Sequence, residues 1–443
     1  MTARASAKTQ QPRLLTAVID AFQQPDIRQK LLFTIAMLVI FRFVAHVPVP
    51  NVNPAELRRI FETNAILGFL NIFSGGALQN MSVAALGVYP YITASIIMQV
   101  MVPVVPRLQA LSREGEMGRR QIQIYTHWLT VPLAAVQGYA QLTIVQQAGG
   151  VTGVGLTGDR LLPTAATILS MTAGTMFLVW LGELITRHGI GNGISLIIFA
   201  GIVAGFPTLV GQQVLGGVGI FGLVFLLVMV VVMILSIVFF QEAQRRIPVQ
   251  YARSLFRGGR MYRQVGQTHI PLRVNSAGMI PLIFAFSIVI FPSYLGQYLE
   301  VAEAGFLSEM GTWLRRAFDP SNFPYWAFSF ILVVIFTFFY TTVIFQQQNL
   351  AENLQRQGGF IPGIRPGRPT GEYLTRVITR ITWAGALFLG IIAVLPFMAT
   401  WVSDVQALQI SSASLIIIVG VVLDTMRQLE AQLLMRQYEG FIH

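Results

Sequence analysis

The chain of 443 residues contains no cysteine, which excludes disulfides, thiolate zinc sites, iron–sulfur clusters and cysteine nucleophiles together. Charge is scarce as well: 11% of residues are Asp, Glu, Lys or Arg against 54% hydrophobic, and mean hydropathy is +0.63. That balance excludes an ordinary soluble protein and puts the chain in a bilayer. Catalytic motifs are missing too. There is no His-Glu-x-x-His zinc pair and no credible Ser/His/Asp set, and Gly189-Ile190-Gly191-Asn192-Gly193 lacks the Lys and Ser of a phosphate loop. The glycine run reads instead as a turn capping two helices, with Asn192 and the glycines supplying positive φ. No enzyme activity, cofactor or metal is expected. Nor is a cleaved signal peptide: Arg4, Lys8 and Arg13 lead into an amphipathic segment at 14–22 with no small-residue cleavage site after a short apolar core.

What the chain does have is ten apolar segments, at 31–47, 89–105, 124–144, 161–185, 194–214, 218–240, 277–299, 326–345, 377–398 and 410–426. The third is the weakest, interrupted by His127, Gln137 and Gln141. Basic residues alternate across these spans. One side carries Arg4, Lys8, Arg13, Arg28, Lys30, Arg107, Arg113, Arg119, Arg120, Arg187, two long loops, Arg427 and Arg436. The other carries only Arg58, Arg59, Arg160, Arg315 and Arg316, offset by acids. The positive-inside rule then puts both termini in the cytoplasm, which needs an even number of spans. The expected fold is all-α: one polytopic membrane domain of ten transmembrane helices over 1–443, in two halves of five. An N-terminal segment (1–30) precedes spans one to six (31–240). A cytoplasmic loop (241–276), spans seven and eight (277–345), a second loop (346–376), the last two spans (377–426) and a tail (427–443) follow. Two halves of five are compatible with an inverted repeat, although no residue-level similarity joins them.

The two loops are rich in arginine. The first carries Arg245, Arg246, Arg253, Arg257, Arg260, Arg263 and Arg273, and the second carries Arg356, Arg365, Arg368 and Arg376 around Gly358-Gly359-Phe360-Ile361-Pro362-Gly363-Ile364-Arg365-Pro366-Gly367. Arginines hold loops on the cytoplasmic side, but far fewer would suffice. Pro and Gly at this density pre-set a rigid turn that presents Arg365 outward, as a docking surface would. Its ligand would be a large anionic surface, either ribosomal RNA or an acidic protein face. Within the spans the charges are few: Arg42, Glu183, Arg380 and Asp424. All four sit near span ends and read as structural.

The stretch 65–105 is long and apolar yet broken by Gly75-Gly76 and Asn80. Backbone that leaves the helix at membrane depth must be buried in protein or line a water-filled space, because lipid offers it no hydrogen bonds. A cavity is implied.

Five runs carry a resemblance: AALGVYPYITASIIMQ (84–99), VWLGELITRHGIGNGISLIIFAGIVAG (179–205), QRRIPVQYARS (244–254), THIPLRVNSAGMIP (268–281) and GGFIPGIRPG (358–367). In order and spacing they resemble the SecY family, the central subunits of the bacterial protein-conducting channel, from about residue 31 to 438. The resemblance implies a central hourglass pore in the bacterial cytoplasmic membrane, passing unfolded preproteins across and releasing helices sideways into lipid. It implies a pinching ring at Ile92, Ile96, Ile198, Ile202, Ile283 and Ile417. An apolar waist of this kind blocks ions by dewetting yet yields to an extended chain. It implies a plug over 68–82, including Phe69, Leu70, Asn71, Ile72, Phe73, Ser74, Gly75 and Gly76, on the external side with its polar groups solvated. A lateral gate would use Gln99 and Asn275, along a seam between spans two and three and spans seven and eight. Arg245, Arg246, Arg257 and Arg365 would dock the ribosome or the ATPase SecA. Implied partners are SecE and SecG, SecA, the ribosome with its RNA, signal peptides and preproteins, and the lipid bilayer. A secondary transporter for a small solute could share the span count, but it needs coupling-ion or substrate ligands near mid-membrane where this chain offers aliphatic groups.

Overall fold

In the computed structural model the described residues are 22, 24–50, 74, 76–147, 154–155, 158–215, 220–257, 260–276, 278, 280–300, 305–319, 322–403 and 407–439. The helices in chain order are α1 Pro25–Val44, α2 Tyr89–Val104, α3 Pro106–Arg113, α4 Glu116–Gln147, α5 Leu161–His188, α6 Gly193–Leu215 and α7 Ile220–Glu242. After the strands β1 Gln244–Arg257 and β2 Arg260–Arg273 come α8 Ile280–Glu300, α9 Gly305–Ala317, α10 Phe323–Gln348, α11 Leu350–Arg356, the short strand β3 Gly359–Phe360, α12 Arg368–Ser403 and α13 Ala407–Glu439. Each apolar segment read from the sequence falls on its own long helix. Among the described residues, Gly158–His188, Phe323–Arg356 and Arg368–Leu395 are continuous helical stretches long and apolar enough to cross a membrane. The pair α2 and α3 joins them if its 97° bend counts as one broken span. The bend has a local cause: Val105 is extended (φ −94°, ψ 114°), as the residue before Pro106 must be, and Pro103 has already weakened the last turn of α2.

Two compact units divide the chain, one of 1–210 with 420–443 and one of 211–419. The first is built on α5. Residues Ile27, Thr34 and Phe41 recur at sevens and form the buried side of α1, while Leu32, Ile35, Val39 and Phe43 form an exposed apolar stripe. At the end of α5 the backbone is tight. A Cβ on Gly193 would lie 1.9 Å from the Gly182 carbonyl oxygen, so α5 and α6 approach backbone to backbone. In the turn between them Gly191 takes φ +92°, whereas Asn192 stays on the ordinary side and caps α6, its Oδ1 accepting from the Ser195 N–H at 3.2 Å. The expected cap is there, with the left-handed conformation supplied by glycine alone. Ile190 from this turn meets Ile27, Leu429 and Leu433, which draws the far half of α13 into the first unit.

The second unit contains the departure from an all-helical plan. What the sequence presents as loop 241–276 is a long antiparallel hairpin, paired from Gln244↔Arg273 to Arg257↔Arg260, and β3 adds to its edge through Gln250↔Phe360 and Tyr251↔Gly359. The sheet order is β2-β1-β3. Ile247, Val249 and Leu272 from the hairpin pack with Leu354 of α11, Ile361, and Leu374 and Val377 of α12. The two arginine-rich loops are thus one module with a shared core.

Candidate pore, gate and docking surface

Ile92 and Ile96 lie four apart on α2, with Gln99 continuing the same face, away from the exposed stripe of Ile97, Val100, Met101 and Val104. Ile92 is half-buried; Ile96, and Ile198 and Ile202 on α6, are buried in the first unit. Ile283 on α8 and Ile417 on α13 are buried in the second. None of the six belongs to the exposed apolar surface that characterises these helices.

The gate candidates share one feature. Gln99 donates through Nε2 to Ser95 Oγ at 3.1 Å, and Asn275 donates through Nδ2 to the Gly278 carbonyl at 3.0 Å. In each amide the carbonyl oxygen is buried and has no partner among the described residues. A buried acceptor left this way costs about 1–3 kcal/mol, so each is a standing demand for a donor.

Of the plug candidates, Phe69, Leu70, Asn71, Ile72, Phe73 and Gly75 lie outside the described residues. Ser74 is buried and its Oγ accepts from the Leu78 N–H at 3.0 Å; Gly76 takes φ +82° with open space around its Cβ position. Beyond it the apolar residues are withdrawn from the surface. Ala77, Leu78, Met81 and Ser82 have no exposed surface, Asn80 is half-buried, and Ser82 bridges to Pro48. The reason is close packing: a Cβ on Gly174 of α5 would lie 1.9 Å from the Val83 carbonyl oxygen, so this segment lies directly on α5. The break from helix is packed against protein here.

Arg245 and Arg246 are exposed at the base of the hairpin, and Arg365 is exposed in the turn after β3. Arg257 falls at the hairpin's far end. The turn holding Arg365 is anchored from both sides. Ile361 is buried in the module core, Gly363 (φ +81°) and Gly367 (φ +99°) take left-handed conformations, and Thr370 Oγ1 donates to the Arg365 carbonyl at 2.9 Å.

Sequence reading missed the network around Glu183. This carboxylate accepts from Gln123 Nε2 at 2.7 Å, has His127 Nε2 at 2.9 Å though out of line for a hydrogen bond, and has Arg187 at 3.7 Å. The His127 ring lies 5.7 Å from that of Tyr91, so α2, α4 and α5 meet at this point. A clue was present: His127, which interrupts the third segment, lies four residues after Gln123 and so on the same helix face. Asp424 pairs with Arg427 at 3.5 Å, and Arg380 is exposed. His46 Nδ1 lies 2.7 Å from the Arg42 carbonyl.

Lipid-facing helices, a polar-surfaced module and broken backbone packed among them define a polytopic helical membrane protein of the channel class. The SecY family model matches residues 82–426. A protein translocase subunit SecY of Streptomyces galbus is 42% identical, covering 97% of this chain and 100% of that one, and one of Mycobacterium bovis is 40% identical over 97% and 100%. The chain belongs to the SecY family. Solved structures agree on the fold. One described as a protein conducting channel aligns over 96% of this chain and 97% of its own at TM-score 0.59 and 17% identity. Sec61 in a canine ribosome-channel complex from the endoplasmic reticulum does so over 96% and 97% at TM-score 0.57 and 16%.

Proposed function

We propose that this chain is the channel through which unfolded preproteins cross the bacterial cytoplasmic membrane, and from which apolar helices pass sideways into lipid. The observation that carries the reading is the set Ile92, Ile96, Ile198, Ile202, Ile283 and Ile417, aliphatic and withdrawn from the lipid-facing surface, where a transporter would need polar ligands. The set forms a ring that closes on ions and gives way to a chain. Segment 68–82 corks it from outside. Its buried end at 77–82 supports a division of labour, with the anchor there and any displacement confined to the residues before Gly76.

Gln99 and Asn275 form the gate. Their unfilled carbonyl oxygens accept from water or from the backbone N–H groups of an arriving signal peptide, so opening loses little. The module of β1, β2, β3 and α11 faces the cytoplasm with both termini, and Arg245, Arg246, Arg257 and Arg365 dock SecA or the ribosome. Arg suits either partner, since its planar fork matches phosphate and carboxylate alike. SecE and SecG complete the assembly, and the channel itself hydrolyses nothing. The test is reconstitution with SecE, SecG and SecA in vesicles. A signal-bearing preprotein becomes protease-protected on ATP addition if the reading holds; uptake of a small solute without SecA overturns it in favour of a transporter.

A further inference from the structure

The helix α9, Gly305–Ala317, is left without a role by the pore, the gate and the docking module. It follows α8, whose 21 residues rise about 30 Å, the thickness of a bilayer's hydrocarbon core, away from the sheet module. It is firmly held. A Cβ on Gly296 of α8 would lie 2.8 Å from the Arg315 nitrogen and 2.9 Å from the Gly311 carbonyl oxygen, so the two backbones touch. Just beyond α9, Phe318 packs edge-on against Phe328 of α10, with ring centroids 5.4 Å apart.

Gly311 therefore faces α8, with Leu307 and Leu314 half-buried beside it. A second apolar stripe does not. Phe306, Met310 and Trp313 recur at i, i+4 and i+7, on one side of the helix, and are 76%, 37% and 65% exposed. Glu309 and Arg316 border this stripe, and both are exposed. On α8 and α10 the exposed apolar residues Leu295 and Phe323 flank the same end of the bundle. The stripe thus lies at the same end as other exposed apolar side chains.

We propose that α9 is an in-plane helix bound to the membrane interface, with Phe306, Met310 and Trp313 sunk to the headgroup–acyl boundary and Glu309 and Arg316 at the water level. The occupant of the stripe is phospholipid. The chemistry fits: a large aromatic–aliphatic face, an indole suited to the interfacial belt, and arginine beside it for phosphate. Held along its C-terminal half, α9 fixes the depth of the loop joining α8 to α10, the pair that follows Asn275. The inference rests on the chain spanning a membrane as the channel reading requires.

Absence of cysteine makes the test direct. Single substitutions Phe306→Cys, Met310→Cys, Trp313→Cys and Glu309→Cys in the full chain are spin-labelled after reconstitution into phosphatidylethanolamine–phosphatidylglycerol vesicles. Their collision rates with oxygen and with a water-soluble nickel chelate are then compared. Labels at 306, 310 and 313 are expected to show an oxygen-to-nickel ratio several-fold above that at 309. Nickel access at 306, 310 and 313 matching that at 309 overturns the proposal in favour of a water-exposed helix. Low access to both reagents overturns it in favour of a protein partner. Ile391→Cys, exposed on α12, is the control: an aqueous signal there means that the membrane reading itself has failed.

Discussion

Between Phe239 and Arg245 the chain changes solvent, and the two sides of that boundary are built inside out from one another. On α7 the exposed apolar residues among those described are Val224, Leu227, Val228, Val231, Val232, Leu235 and Phe239, and the helix meets the bundle through Met233, Ile237 and a stacked Phe240–Phe388 pair. Six residues on, β1 buries Ile247 and Val249 and exposes Arg245 and Arg246. Apolar surface turned outward has no penalty where the solvent is hydrocarbon, and burial of the same groups stabilises only where the solvent is water. One chain uses both rules a few residues apart, which is why the module can be strongly basic without disturbing the spans.

The comparison breaks most visibly if a charge is placed on the outer face of α7. Val231→Arg is expected to disfavour membrane insertion by about 3 kcal/mol, a typical value for arginine near a helix centre, read as a loss of membrane-integrated chain in a glycosylation-tag assay. Normal insertion would mean that this face meets water or a polar partner. Next comes the module core. Val249→Ala should cost about 2 kcal/mol of local stability and open the hairpin to limited proteolysis while α5 and α12 stay protected; cleavage of spans and hairpin together would deny the module its independence.

The proposed ring tests a third environment. Ile198→Ser combined with Ile417→Ser should raise resting ion conductance in planar bilayers, and to cost no more than about 1 kcal/mol if both side chains meet a closed waist rather than a packed core. An unchanged current with marked destabilisation would return both residues to the core. The smallest effect on stability belongs to the module's exterior. Arg365→Glu should shift stability by no more than about 0.5 kcal/mol, as exposed surface changes do, yet impair SecA-driven transport. Equal loss of transport and of ion sealing would point instead to misfolding.

Much of this plan is legible in one dimension. Runs of apolar residues locate the helices, and Gly191 locates the turn between α5 and α6. The hairpin was not legible. Its strands carry arginine at irregular intervals, and the inward set of Ile247, Val249 and Leu272 finds its partners more than 80 residues on, at Leu354, Ile361, Leu374 and Val377. Burial of 77–82 was hidden for a similar reason: Gly174, which admits that segment, sits in an unremarkable span. The Glu183 network likewise needs two helices to meet.

The sequence alone determined that the chain spans a membrane, where its helices lie, which loops are basic and that no cysteine chemistry is available, because periodicity, composition and charge act locally along the chain. Tertiary structure decided that two loops share one core, that the broken stretch rests on α5 and that the carbonyls of Gln99 and Asn275 go unanswered among the described residues. Those outcomes depend on which surfaces come within van der Waals and hydrogen-bonding reach, and no stretch of sequence carries its neighbour's coordinates.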